Sequence, residues 1–156
     1  NPAKPVNKGA DASPAGNRQP APEWPAINRS LYECVQTDAA LVAWIERAFS
    51  ARLVAANTET SALDAMRAEL AGISLATGPG EACYIPLAHG GSDMFAEKPE
   101  QLALDRALTL LKPLLESDQV LKVGQNVKYD LNVLARHGIA MAPIDDTMII
   151  SFALDA

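Results

Sequence analysis

Leu53-Val54-Ala55-Ala56-Asn57-Thr58-Glu59-Thr60-Ser61-Ala62-Leu63 sets a short apolar run directly before a cluster of oxygen-bearing side chains. The run from Leu53 to Ala56 lacks polar alternation, which reads as a strand covered on both faces. It ends at Asn57-Thr58-Glu59. A strand's period of two sends Asn57 and Glu59 to one face. Two such side chains at a strand end, beside a sheet crevice, suit a hard cation. On spacing alone they better suit a strand that simply exits to solvent, because N-x-E is a weak pattern.

Before this strand, Leu41, Trp44, Ile45 and Ala48 recur at helical spacing, with Asp38 as the expected N-cap. After it, Leu70–Thr77 and Ala82–Leu87 read as strands, and Gly78-Pro79-Gly80 between them predicts a hairpin. A mostly polar loop from His89 to Pro99 follows. Leu104, Leu108, Leu111 and Leu115 then mark a helix over Gln101–Glu116, which Pro113 is expected to kink or shorten. Val120–Val123 is a further strand, and Gly124-Gln125-Asn126 turns into a helix over Val127–His137, closed by Gly138. Ile144–Asp146 leads into a last apolar helix, Thr147–Leu154. Strand, hairpin, helix, strand and helix in this order predict an α/β layer fold with a mixed β-sheet flanked by helices.

The 156 residues amount to about one ordinary domain. Residues 1–28 differ from the rest: they hold six of the 11 prolines and, of large apolar residues, only Val6, Trp24 and Ile27. Such a segment buries too little surface to offset its ordering entropy and reads as a proline-rich linker or tail. An opening inside a linker suggests a fragment of a longer protein. Asn1-Pro2-Ala3-Lys4-Pro5 has no secretory pattern, and no apolar run reaches the ~18 residues of a membrane span. Cys34 and Cys83 are too few for a disulfide framework and read as buried or half-buried free thiols of a reducing cytoplasm. The net charge of −6 argues against a grip on nucleic acid that is mainly electrostatic. It does not argue against a site for cations.

Asp130 stands out. On a helical wheel Val127, Leu131 and Leu134 are buried and Asp130 falls at the border of that stripe, with Asn126 one turn earlier on the same side. An acid there needs a cation or donors; a hydrogen-bonded boundary Asp is the alternative. Asn126 alone reads as an N-cap, as does Asp146 for the last helix. Tyr129 is open between site and surface. His89 and His137 lack partners at ligand spacing and read as surface or loop residues. There is no dinucleotide fingerprint, phosphate-binding loop, nucleophile elbow or zinc pattern.

Val54 to Leu63 resembles the first exonuclease motif of bacterial DNA polymerases I, V-A-F-D-T-E-T-x-x-L, and Leu121-Lys122-Val123-Gly124-Gln125-Asn126-Val127-Lys128-Tyr129-Asp130 resembles the second. Ala82-x-Tyr84-Ile85-Pro86-Leu87-x-His89, Leu110-Leu111-Lys112-Pro113-Leu114-Leu115-Glu116 and Asp146-Thr147-Met148 fall in the family's order, so the resemblance covers about residues 30–156. It implies a ribonuclease H-like (DEDD exonuclease) fold over residues 29–156, incomplete at its C-terminal side, and a 3′→5′ proofreading exonuclease of the bacterial cytoplasm. It also implies two divalent ions, Mg²⁺ or Mn²⁺, with ligand positions on Asn57, Glu59 and Asp130. Thr60, Leu63, Gln125, Asn126 and Tyr129 match positions that contact the single-stranded 3′ end of DNA, Leu63 as a wedge against bases. A polymerase domain in the same parent chain is the implied partner, and no membrane is.

Two departures from the pattern bear on activity. The family's leading Asp is Asn57 here, and the third motif, which supplies a Tyr and the fourth acid, lies beyond Ala156. The expectation is little or no nuclease activity. A naturally silent, exonuclease-like structural domain is the alternative; retention of Glu59, Asp130, Asn126 and Tyr129 favours the exonuclease. A free-standing single-strand-binding module fits poorly with 5% aromatic residues. Met148, Ile149, Phe152 and Leu154 are expected to form an exposed apolar face that a second copy could cover; oligomeric state is otherwise open.

Overall fold

The computed structural model describes residues 28–90 and 99–155. The tail reading for 1–27, and most of the loop read between His89 and Pro99, fall outside them.

A 3₁₀ turn, Arg29–Leu31, and a two-residue strand β1, Glu33–Cys34, precede α1, Asp38–Ala51. Thr37, not Asp38, caps α1: its side chain accepts from Ala40 N–H, while Asp38 opens the helix and pairs with Arg106 at 2.7 Å. A hydroxyl with extended backbone fits the cap, and a carboxylate in the first turn complements the helix dipole. Leu53–Thr60 is β2, and Leu70–Gly78 and Glu81–Pro86 are β3 and β4, the expected antiparallel hairpin, turning at Gly80 with φ 81°. Leu104–Leu115 is α2. Pro113 falls in its last turn, where the helix ends two residues later, so little of the ladder is left to lose. Leu121–Gly124 is β5, Val127–Arg136 is α3 with Gly138 at φ 72° beyond its end, Ile144–Asp146 is β6 and Thr147–Leu154 is α4.

The mixed sheet has the order β1-β4-β3-β2-β5-β6. β2 sits centrally, antiparallel to β3 and parallel to β5. Its residues alternate in burial, with Val54, Ala56 and Thr58 inside and Leu53, Ala55, Asn57 and Glu59 outside. The expectation of a strand covered on both faces is therefore corrected. Alanine fits a core or a surface equally, and here Ala55 stands on the outer face. Val54, Ile73, Leu75 and Ile85 pack on the inner face with Leu41 and Trp44 of α1, Leu111 and Leu115 of α2, and Val133 and Leu134 of α3. Leu131 is half-buried, and Val133 takes the core position instead.

The outer face carries small side chains. Ala55, Asn57, Ser74, Ala76, Ala82 and Val123 line a shallow hollow of about 390 Å³ that reaches Gln125 and Thr147. Next to it, α4 exposes Met148, Ile149, Phe152 and Leu154, the last two by 77% and 80%. Among the described residues no helix is long and apolar enough to cross a membrane. Both cysteines are free. Cys34 is exposed, contrary to expectation, because it lies on the short edge strand; Cys83 is buried, which pushes its thiol up to about 12.

One core position is a lysine. Lys122 is 1% exposed on β5, and its ammonium donates to the carbonyls of Ser117 and Val120, each at 2.7 Å, and of Ala142. It ties the α2–β5 connection to the segment entering β6. Lys122→Met keeps the stem but orphans these carbonyls, and an unmade buried bond costs about 1–3 kcal/mol. The expected outcome is a loss of about 3 kcal/mol in urea unfolding with an unchanged denaturant slope.

Candidate functional site

β2 carries the site because its two faces do different work. On the outer face, Asn57 Nδ2 donates to Glu59 Oε1 at 3.1 Å and to the Thr58 carbonyl at 3.3 Å. On the inner face, Thr58 gives both its N–H (2.8 Å) and its hydroxyl (2.6 Å) to Asp130 Oδ1. Asp130 is 3% exposed, and these two bonds supply the donors that an acid at a buried border needs. A bulge between Glu59 and Thr60 then re-aims the strand's end.

Beyond the bulge, one groove of about 550 Å³ gathers Glu59, Thr60, Leu63, Asn126 and Tyr129, five of the residues singled out in the sequence, against Thr58, Ser61 and Ala62. The Tyr129 hydroxyl donates to the Ala62 carbonyl and shares a hydrogen bond with Thr60 Oγ1, fixing the ring against the strand end. Leu63 is 99% exposed, an apolar side chain held at the rim with nothing covering it. Gln125 lies apart from the groove: it lines the hollow on the outer face with Asn57, and its side chain bonds Thr147. Asn57 and Asp130 share a narrow crevice beneath the strand with Thr58 and Leu134.

Asn126 precedes α3 in the left-handed region, at φ 57°, and its side chain makes no cap bond. The reading of Asn126 as a capping side chain is therefore corrected. Asp146 takes that task by accepting from the N–H groups of Asn126 (3.0 Å) and Val127 (2.9 Å), while also capping α4 through Met148 N–H (2.9 Å). One carboxylate thus joins two helix starts, and the amide of Asn126 is left to face the groove. Partial burial pushes the Asp146 acid upward, but the backbone donors outweigh it and hold the group below its ordinary 3.8.

Sequence reasoning passed over one cluster. His89, read as a surface or loop residue, is half-buried and bonds the Tyr84 hydroxyl through Nε2. The Tyr84–His89 spacing was visible in the motif from Ala82 to His89; only the strand register places it near Glu59. His137 sits at the end of α3 as its C-cap residue.

As a cation site the donor set is thin. On β2 the outer face offers Glu59, already bonded by an amide, and one oxygen of Asp130 is taken twice by Thr58. Among the described residues no three His, Cys, Asp or Glu side chains could together hold a metal ion. Divalent magnesium relies on carboxylate charge, so these residues do not fit a two-ion centre.

A family model described as 3′-5′ exonuclease matches residues 32–156. DNA polymerase I of Pseudomonas aeruginosa is 42% identical over 149 residues, covering 94% of this chain and 16% of that protein. DNA polymerase I of Rhizobium leguminosarum is 42% identical over 143 residues, covering 83% of this chain and 14% of that protein. The chain thus spans about a sixth of the curated relatives it matches. Among solved structures, Escherichia coli RNase D, an exoribonuclease involved in structured RNA processing, superposes with a TM-score of 0.56 at 22% identity, over 77% of this chain and 28% of that one. The fold is the ribonuclease H-like one.

The double role of Asp146 gives a pH signature. A depressed carboxylate contributes stability that is present above its unfolded value and lost as pH falls through its folded value. Asp146→Asn is expected to melt at a lower temperature than the unmodified chain at neutral pH. The gap should narrow as pH falls below 3.8; a gap equally wide in acid would contradict this account.

Proposed function

The chain belongs to the 3′-5′ exonuclease family and matches DNA polymerase I over most of its length, and from that premise we propose that its groove holds the single-stranded 3′ end of DNA while Asn57 leaves the hydrolytic centre disabled. The observation that carries the reading is the convergence of Glu59, Thr60, Leu63, Asn126 and Tyr129 on one open groove. Leu63, bare at the rim, offers an apolar surface to a base. Asn126 offers an uncommitted amide. Tyr129 is immobilised by Thr60 and Ala62, so its ring forms a fixed wall. This is a site built for shape and stacking, in keeping with a net charge of −6 and an electrostatic grip located elsewhere in a longer polymerase.

The family's implied ions, Mg²⁺ or Mn²⁺, would draw on Asn57, Glu59 and Asp130. A carboxamide keeps the shape of a carboxylate but not its charge, and the Asn57–Glu59 bond exists only because one partner carries N–H groups. That bond also favours the second reading, a domain that retains the scaffold without the chemistry. The two are told apart by restoring the charge.

Pure protein with Mg²⁺ or Mn²⁺ is expected to release no nucleotides from the 3′ end of oligothymidylate. In NMR spectra, Mn²⁺ is expected to broaden the resonances of Glu59 and Asp130 in the Asn57→Asp variant and to leave them sharp in the unmodified chain. Nucleotide release by the unmodified chain would sink the account of Asn57. Sharp resonances in both would favour the structural domain.

A further inference from the structure

The Tyr84 side chain occupies space that any other residue at position 72 would fill. Gly72 lies opposite Glu59 on β3, and Tyr84 lies on β4, one register step away opposite Ser74. A β-carbon on Gly72 would overlap the Tyr84 hydroxyl and its two nearest ring carbons. The phenol therefore leans diagonally along the outer face until its oxygen stands where the side chain facing Glu59 would be. Directly opposed residues in a sheet have β-carbons about 5 Å apart, so the hydroxyl stands on the face that carries Glu59, at the position across from it. The Glu59 charge adds to burial in raising the phenol above its ordinary 10.0.

This placement is held from behind. His89 Nε2 bonds the hydroxyl, with the two rings edge-on at 5.7 Å. The backbone of His89 is clamped by Gln101, whose Oε1 accepts from His89 N–H at 2.9 Å while its Nε2 donates to the His89 carbonyl at 3.2 Å. A glycine slot, a histidine brace and a glutamine clamp all serve to fix one hydroxyl on the outer face. That hydroxyl lies on the far side of Glu59 from the groove wall of Asn126 and Tyr129.

We propose that Tyr84, braced by His89, is a further substrate-contacting residue, whose hydroxyl hydrogen-bonds a sugar or phosphate oxygen of the 3′-terminal nucleotide seated at Glu59. The proposal rests on the reading of the groove as a holder of 3′ ends. Glu59 then receives the terminal nucleotide between two walls, Asn126 and Tyr129 on one side and Tyr84 on the other. A phenol suits this position because it gives one directed bond without adding charge next to a carboxylate.

The test is the affinity of the intact chain for oligothymidylate with a free 3′ end, by fluorescence anisotropy, with melting temperature as a control. Tyr84→Phe removes only the hydroxyl and is expected to weaken binding about 5–10-fold, as suits one lost hydrogen bond of about 1–1.5 kcal/mol. Gly72→Ala leaves the hydroxyl but evicts the ring from its slot, and is expected to weaken binding to a similar degree. The double variant should bind no worse than either single one, a coupling that a general loss of stability would not produce. Leu63→Ala and Asn126→Ala report on the groove itself. If they weaken binding while Tyr84→Phe and Gly72→Ala do not, this inference fails and the groove reading stands. If the unmodified chain binds no oligonucleotide, or the groove variants bind normally, the reading of the groove fails and this inference with it.

Discussion

The bond pair between Thr58 and Asp130 is the junction on which the site depends. Asp130 is an acid inside a helix–sheet interface, and burial of a carboxylate is costly unless donors meet it. Thr58 supplies two from a single residue, one from the backbone and one from the side chain. Because both bonds end on β2, they fix the height and rotation of α3 against the central strand. With that rotation set, Asn126 and Tyr129 fall beside Glu59 and Thr60. The same pair settles the strand's alternation: Thr58 faces in, so Asn57 and Glu59 face out.

A second junction completes the geometry at the start of the same helix, one turn before Asp130. Asp146 binds the first N–H groups of α3 and of α4 together, and thus couples β6 to the turn after β5. The left-handed conformation of Asn126 follows from this arrangement. Its backbone N–H must point at Asp146, and asparagine is among the few non-glycine residues that tolerate that region. Its side chain is thereby released from the capping work it would otherwise do. Fixed helix starts, a tethered tyrosine and a bare leucine make a rigid, weakly charged groove.

Much of this architecture was legible in the sequence, because its signals are local. The hairpin follows from Gly78-Pro79-Gly80, the end of α3 from Gly138, and the mixed sheet from the order of elements. Of the eight residues that the motif resemblance singled out, Glu59, Thr60, Leu63, Asn126 and Tyr129 line one groove, while Asn57, Gln125 and Asp130 lie outside it. What was not legible depends on the third dimension. Apolar letters in β2 did not reveal that Ala55 faces outward. Nothing in the run Val120–Val123 singles out Lys122, on which the carbonyls of Ser117, Val120 and Ala142 converge. Asn126 looks like a cap until Asp146, twenty residues away, takes its place. Tyr84 and His89 acquire meaning only when the register sets Gly72 opposite Glu59.

The exchange of charge at position 57 has a structural side as well as a chemical one. Two carboxylates on the same face of one strand, two residues apart, repel unless a cation lies between them. A site poised to bind divalent ions therefore carries strain of its own whenever it is empty. With an amide at 57 the repulsion is replaced by a hydrogen bond to Glu59, and the outer face is satisfied without an ion. On the proposed function, the exchange trades affinity for the cation against a self-sufficient strand end, the usual direction of trade between activity and stability. In the groove beside it the exchange reaches Glu59 alone, since none of Thr60, Leu63, Asn126 and Tyr129 bonds the side chain at 57. On the proposed function, holding a 3′ end and cutting it draw on different features of this fold, the first on the groove fixed by the two junctions on α3 and the second on charge on one face of β2.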